Sequence, residues 1–163
     1  MKQSVQAISL CVALLFPCFL YAGVESVFMD LKKECNVAET TNEGSYALTE
    51  CPPFEGYKLI TENSDGKTTV TLGFGSQKNA LNSGYAFSEF GNMVEWRAKT
   101  IGKKREPLAL IFRMFYSNPA GELSVVRLAQ GRSCVIGQID AKKVKNANEA
   151  ARRLADDEAK SCN

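Results

Sequence analysis

Glu95, Trp96 and Arg97 stand side by side in a segment of alternating polarity. Val94, Trp96 and Ala98 are set against Glu95, Arg97 and Lys99. In a strand, successive side chains leave on opposite faces, so Glu95 and Arg97 share one face and Trp96 takes the other. A hairpin would bring Arg113 alongside, placing one carboxylate and two guanidiniums on a single face. That set suits gripping an anionic ligand or a partner's carboxylates, because the guanidinium fork matches carboxylate geometry. It does not suit acid–base chemistry by itself, since Arg keeps its proton. The plainer reading makes Trp96 core and Glu95 with Arg97 a solvated sheet face. For Glu95 to act as a hydrolytic acid or base, a second carboxylate must lie roughly 5–10 Å away.

The other charged or glycine-rich motifs carry less chemistry. Lys103, Lys104 and Arg105 form a short basic tip in a polar turn, either solvated or touching a partner. Asp156, Asp157 and Glu158 are consecutive on a predicted helix, where neighbours in sequence do not share a face. Asp65-Gly66 is a turn without a calcium-loop pattern around it. Gly73 and Gly75 are not followed by the Lys-Ser/Thr of a phosphate loop. The chain has no histidine, which removes Ser-His-Asp and Cys-His catalysis and the commonest zinc ligand. Twenty Lys and Arg against eighteen Asp and Glu give a net charge of +2. Such a balance argues against a dedicated nucleic-acid binder. No metal site and no cofactor are expected.

These residues must be positioned by a chain whose first segment reads as an export signal. Lys2 is the only charge before Glu25, residues 7–21 are almost wholly apolar, and Ala22 is a small residue placed for cleavage. The apolar run is shorter than the roughly 20 residues of a membrane span, and Pro17 weakens it as a helix. Cleavage after Ala22 leaves residues 23–163 as one exported domain of net charge +1, with no stable membrane anchor. Four of the six cysteines remain: Cys35, Cys51, Cys134 and Cys162. An even number in an exported chain reads as disulfides. Of the three connectivities, spacing favours Cys35–Cys51 and Cys134–Cys162. A four-cysteine zinc site is disfavoured because the cysteines are not in close pairs.

Val24, Val27, Phe28, Leu31 and Cys35 have helical spacing and predict a short N-terminal helix. Residues 36–44 read as a loop and residues 45–50 as a short strand stopped by Pro52-Pro53. Residues 57–61 and 67–74 form a hairpin around Asn63-Ser64-Asp65-Gly66. Residues 75–91 read as a long connection whose aromatics pack over one end of the sheet. Residues 93–99, 107–116, 123–129 and 133–140 are further strands, the second apolar on both faces as in a central strand. Asn146 with Glu149 predicts a capping box opening a C-terminal helix. In that helix Ala147, Ala150, Ala151, Leu154 and Ala155 make a small-residue face, and Arg152, Arg153, Asp156, Asp157 and Lys160 make the wet one. The expected fold is α+β: one antiparallel sheet of six or seven strands with helices at both ends.

Several segments carry a resemblance. They are Asp30-Leu31-Lys32 before Cys35, Cys51-Pro52, Gly56-Tyr57, Val94-Glu95-Trp96-Arg97 and Ala109-Leu110-Ile111-Phe112-Arg113. Ser124-Val125-Val126-Arg127, Cys134-Val135-Ile136-Gly137 with Asp140-Ala141, and the run from Ala147 to Asp156 complete the set. In this order they resemble a family of small exported bacterial proteins without an assigned activity. The resemblance spans nearly all of residues 23–163 and implies export and an intact domain. The Lys103–Arg105 turn departs from the Gly-rich turn that the resemblance leads one to expect. The function expected is a periplasmic or secreted binding module, an inhibitor being one form, acting on a protein or envelope ligand. A small carboxylate hydrolase of the envelope and a structural envelope component are the alternatives.

Overall fold

The computed structural model describes residues 23–41, 45–81, 88–116 and 119–162. The predicted signal segment lies outside them, as do Tyr85 and Phe87. In chain order the elements are β1 (Gly23–Asp30), α1 (Leu31–Glu34), β2 (Asn36–Thr40), β3 (Tyr46–Glu50), β4 (Tyr57–Ser64) and β5 (Lys67–Phe74). Then come β6 (Gln77–Ala80), β7 (Glu89–Ile101), β8 (Lys104–Phe115), β9 (Glu122–Arg127), β10 (Cys134–Asp140) and α2 (Ala147–Asp156). They form two antiparallel five-stranded sheets, not one sheet of six or seven strands. The orders are β1-β7-β8-β9-β10 and β2-β3-β4-β5-β6.

The extra strands come from segments whose patterns mislead. Residues 23–30 are a strand and not the N-terminal helix their spacing predicts; only the single turn of α1 is helical. Along β1, Val27 packs against the core and Met29 lies in it, while Val24, Ser26 and Phe28 take the opposite face. The same apolar positions therefore satisfy both a helical stripe and a strand. β2 is exposed throughout and sits at a sheet edge, paired with β3. Main-chain hydrogen bonds hold it without any apolar alternation. β6, a polar edge strand paired with β5, arises likewise inside the predicted connection.

The main core lies between the sheets. Leu59, Val70 and Leu72 from one meet Val94, Trp96, Leu110, Phe112 and Val126 from the other. Trp96 is fully buried and stacks on Phe54 at 5.1 Å between centroids. Phe90, from the predicted connection, packs on Phe112. β8 is central in its sheet and apolar on both sides. Leu110 and Phe112 enter the main core, while Ala109 and Ile111 face α2.

α2 packs on the outer side of that sheet through Ala147, Ala151 and Ala155. Gly137 on β10 permits the close approach, since a Cβ there would lie 2.6 Å from the Leu154 side chain. At about 0.8 kcal/mol per buried carbon, three alanine methyls contribute only about 2 kcal/mol. Leu154 and the sheet residues beneath the helix, Ala109, Ile111, Leu123 and Val125, add to this contact, and polar contacts and the disulfide supplement it. The predicted capping box does not form: Asn146 is left-handed, with φ 59°, and its side chain makes no cap bond. Cys35–Cys51 and Cys134–Cys162 are both bonded, closing separations of 16 and 28 residues. In the chain-entropy picture each loop is worth about 3–4 kcal/mol.

Candidate functional site

Glu95 and Arg97 do share the outer face of β7, with Trp96 on the core side. That face is not solvated: both residues are only 7% exposed. The cover comes from the helix. Arg152 Nε donates to Glu95 Oε1 at 2.7 Å, and Arg97 makes a two-pronged contact with Asp156 at 2.9 and 2.6 Å. Ser26 of β1 completes the set, accepting from Arg97 Nη1 and donating to Glu95 Oε1. Arg152 and Asp156 thus leave the wet face assigned to them and turn onto the sheet. Glu95, holding both a hydroxyl and a guanidinium, raises Arg152 further above the usual guanidinium range by accepting its hydrogen bond.

The pairing has a simple geometric basis. Residues i and i+4 of a helix are about 6 Å apart along its axis, and residues i and i+2 of a strand about 6.7 Å. Arg152 and Asp156 therefore match Glu95 and Arg97 in both spacing and opposite sign. Lys99 and Glu158 extend the series at 2.9 Å. The strand reads minus, plus, plus and the helix and its tail read plus, minus, minus. Reversing the helix would set Glu158 against Glu95 and Arg152 against Lys99, so the ladder favours the observed direction. Two of the three consecutive carboxylates noted in the sequence are used in this way.

Arg127 of β9 completes the attachment, donating from Nη2 to the Asp157 carbonyl at 2.6 Å and from Nε to that of Lys160 at 2.8 Å. It satisfies the carbonyl end of α2, where a cation also suits the helix dipole.

Arg113 shares this sheet face but does not join the ladder. Its guanidinium donates to the Ala120 carbonyl and, at 3.1 Å, to Asn148 Oδ1. Gly121, at φ 71°, lets the 120–121 backbone come this close; a Cβ there would meet the Met114 carbonyl at 2.9 Å and the Arg113 side chain at 3.0 Å. Between Arg113, Asn148 and Arg152 opens a cleft of about 220 Å³, with Phe28, Met93 and Ile111 among its apolar walls. Arg152 also lies 5.9 Å over the Phe28 ring.

The basic tip divides. Lys103 is in the turn, while Lys104 and Arg105 already belong to β8, so the predicted turn is shorter than expected. Arg105 pairs with Glu25 at 2.8 Å. None of the three lines the Arg113 cleft. Sequence reasoning did not assign Ser26, Asn148, Arg152, Asp156 or Arg127 to the site. The matching spacings of 95/97 and 152/156 were the available signal. Among the described residues no cluster of three or more acidic, Cys or His side chains could hold a metal, and no helix is long and apolar enough to cross a membrane. Comparison with protein-family profiles, with curated proteins and with solved structures finds no match to this chain.

Proposed function

We propose that this is an exported, disulfide-stapled binding module that recognises a partner protein through the outer face of β1 and β7. One observation carries the reading. Val24, Phe28, Met93 and Ile101 are 37–53% exposed and make up four of the six exposed large apolar side chains among the described residues. In the β1–β7 register Val24 lies opposite Lys99, Phe28 opposite Glu95 and Asp30 opposite Met93. Paired residues and every second residue along a strand share a face, so all four project from one surface beside α2. Phe28 and Met93 lie together at one end of this face, and Val24 and Ile101 lie at the other, with the polar set of Ser26, Glu95, Arg97 and Lys99 between them. An apolar cluster with a charged border suits a docking surface. The two disulfides suit an oxidising compartment, in keeping with the signal-like first segment and the family resemblance.

The rigid attachment of α2 gives this surface a fixed wall. Glu95 supports it structurally through Ser26, Arg97 and Arg152. The test is capture of a partner from the envelope extract of the producing cell. Phe28→Ser with Met93→Ser should abolish a stoichiometric complex that Val37→Ser, exposed on the other sheet, leaves intact. Equal capture by all three proteins would overturn the reading. Sedimentation with peptidoglycan or outer membrane would favour a structural component instead.

A further inference from the structure

We infer that the cleft at the Met93 end of this face is a socket for a carboxylate on the partner: an acidic side chain flanked by an apolar one. This rests on the partner-binding reading and names the chemistry at one end of its surface.

The charges lining the cleft favour an anion there. Arg97 faces Asp156, Arg152 faces Glu95 and Arg105 faces Glu25. Arg113, like Arg127, bonds only neutral acceptors, here a carbonyl and an amide oxygen, but it alone of the two lines this cleft. Arg113 is half-buried as a residue and lines the cleft together with the apolar Leu123 and Ile111. A cation removed from water gains most from an opposite charge, and guanidinium bonds carboxylate with two parallel N–H groups. Arg152 binds Glu95 through Nε and is also one of the residues lining this cleft. The cleft's own lining carries Glu95, Arg113 and Arg152, a net positive charge, while Glu149 borders the adjoining concavity beside the same two arginines.

The apolar half of the ligand follows from Phe28 and Met93. They line the cleft and are also exposed on the docking face. A partner lying on that face would place an apolar side chain over them and an acidic one into the socket. A volume of about 220 Å³ is below the usual small-molecule pocket but sufficient for single side chains.

The experiment needs no identified partner. The N-acetylated, C-amidated dipeptides Leu-Glu and Leu-Gln are titrated into the isotope-labelled protein to about 20 mM, a range that detects weak millimolar binding. The Arg113 Nε–H and Asn148 side-chain signals are followed by NMR. Leu-Glu should shift both saturably, at least about 10-fold more tightly than Leu-Gln, the scale of a charge-assisted hydrogen bond. Arg113→Gln should remove that preference. Asn148→Asp, at an exposed position, supplies Arg113 with a carboxylate and should remove it too, so the test survives if Arg113→Gln fails to fold. No saturable shift, equal shifts for both peptides, or a preference unchanged in Asn148→Asp would overturn the socket.

The two proposals fail separately. A Leu-Glu preference with partner capture unaffected by Phe28→Ser and Met93→Ser would overturn the docking face alone. Loss of capture in those variants without a Leu-Glu preference would overturn the socket alone. A concentration-dependent dimer abolished by Phe28→Ser would assign the face to a second copy and overturn the acidic partner as its occupant.

Discussion

Replacing Asp156 with alanine removes the anion that Arg97 grips with two nitrogens. Arg97 is 7% exposed, and its nearest remaining carboxylate, Glu95, is 3.7 Å away and already bonded by Arg152 and Ser26. Breaking a buried ion pair by removing one partner costs about 3–5 kcal/mol, because the other charge is left without compensation. The Asp156 side chain is about a third exposed, so water can reach part of the vacated space. The lower end, about 3 kcal/mol, is the expected cost. Glu158→Ala is the internal control. It breaks a neighbouring pair in the same ladder, but one largely in solvent, where screening by water leaves an ion pair little effect on stability. Urea denaturation of the oxidised protein measures both. Asp156→Ala should lower stability clearly more than Glu158→Ala, and a cycle with Arg97→Met should show strong coupling. An Asp156→Ala cost no larger than the control's would refute the claim that the ladder holds the helix.

The outer pair should also be visible in pH dependence. Hydrogen bonding to Lys99 holds the Glu158 carboxyl below its ordinary 4.5, and the same bond raises Lys99 above 10.5. The carboxyl's stabilisation is present above its unfolded value and lost as pH falls through the lower folded one. The ammonium's is present below its unfolded value and lost as pH rises through the higher folded one. The stability gap between the native protein and Glu158→Gln should therefore hold near neutrality and close at both extremes, read from urea midpoints across pH. Replacing Cys134 and Cys162 together by alanine should cost about 3–4 kcal/mol, and hydrogen exchange should show α2 losing protection more than β4 and β5. Gly137→Ala should cost about 1–3 kcal/mol by overpacking against Leu154. In thermal or urea melts that cost should shrink when Leu154 is also alanine; an unchanged cost would place the strain elsewhere.

Much of the inner sheet architecture was legible because alternation and burial coincide. The β4–β5 hairpin shows it, as do β7 and β8, where apolar residues face a core and turn residues mark the ends. The disulfide pairs followed from spacing. The edge strands were not legible, since β2 and β6 bury little and are set by main-chain pairing that leaves no side-chain period. β1 was misread because Val24, Val27 and Phe28 fit two periods at once. At the site, Glu95, Arg97 and Arg113 were found on one face as expected, but their surroundings were not. Burial of the Glu95–Arg97 pair depends on α2 lying across it, a tertiary fact that local polarity assigns to solvent. Arg152 and Asp156 look like ordinary wet-face residues until their spacing is compared with that of β7.

The docking face is tested most directly by photo-crosslinking in the producing cell from position 28, with position 37 as the control. Both residues are large, apolar and exposed, and they lie on different sheets. A photoreactive phenylalanine analogue at position 28 should give one discrete adduct that position 37 does not give. No adduct from position 28, or the same adduct from both positions, would contradict the assignment of the β1–β7 face as the recognition surface.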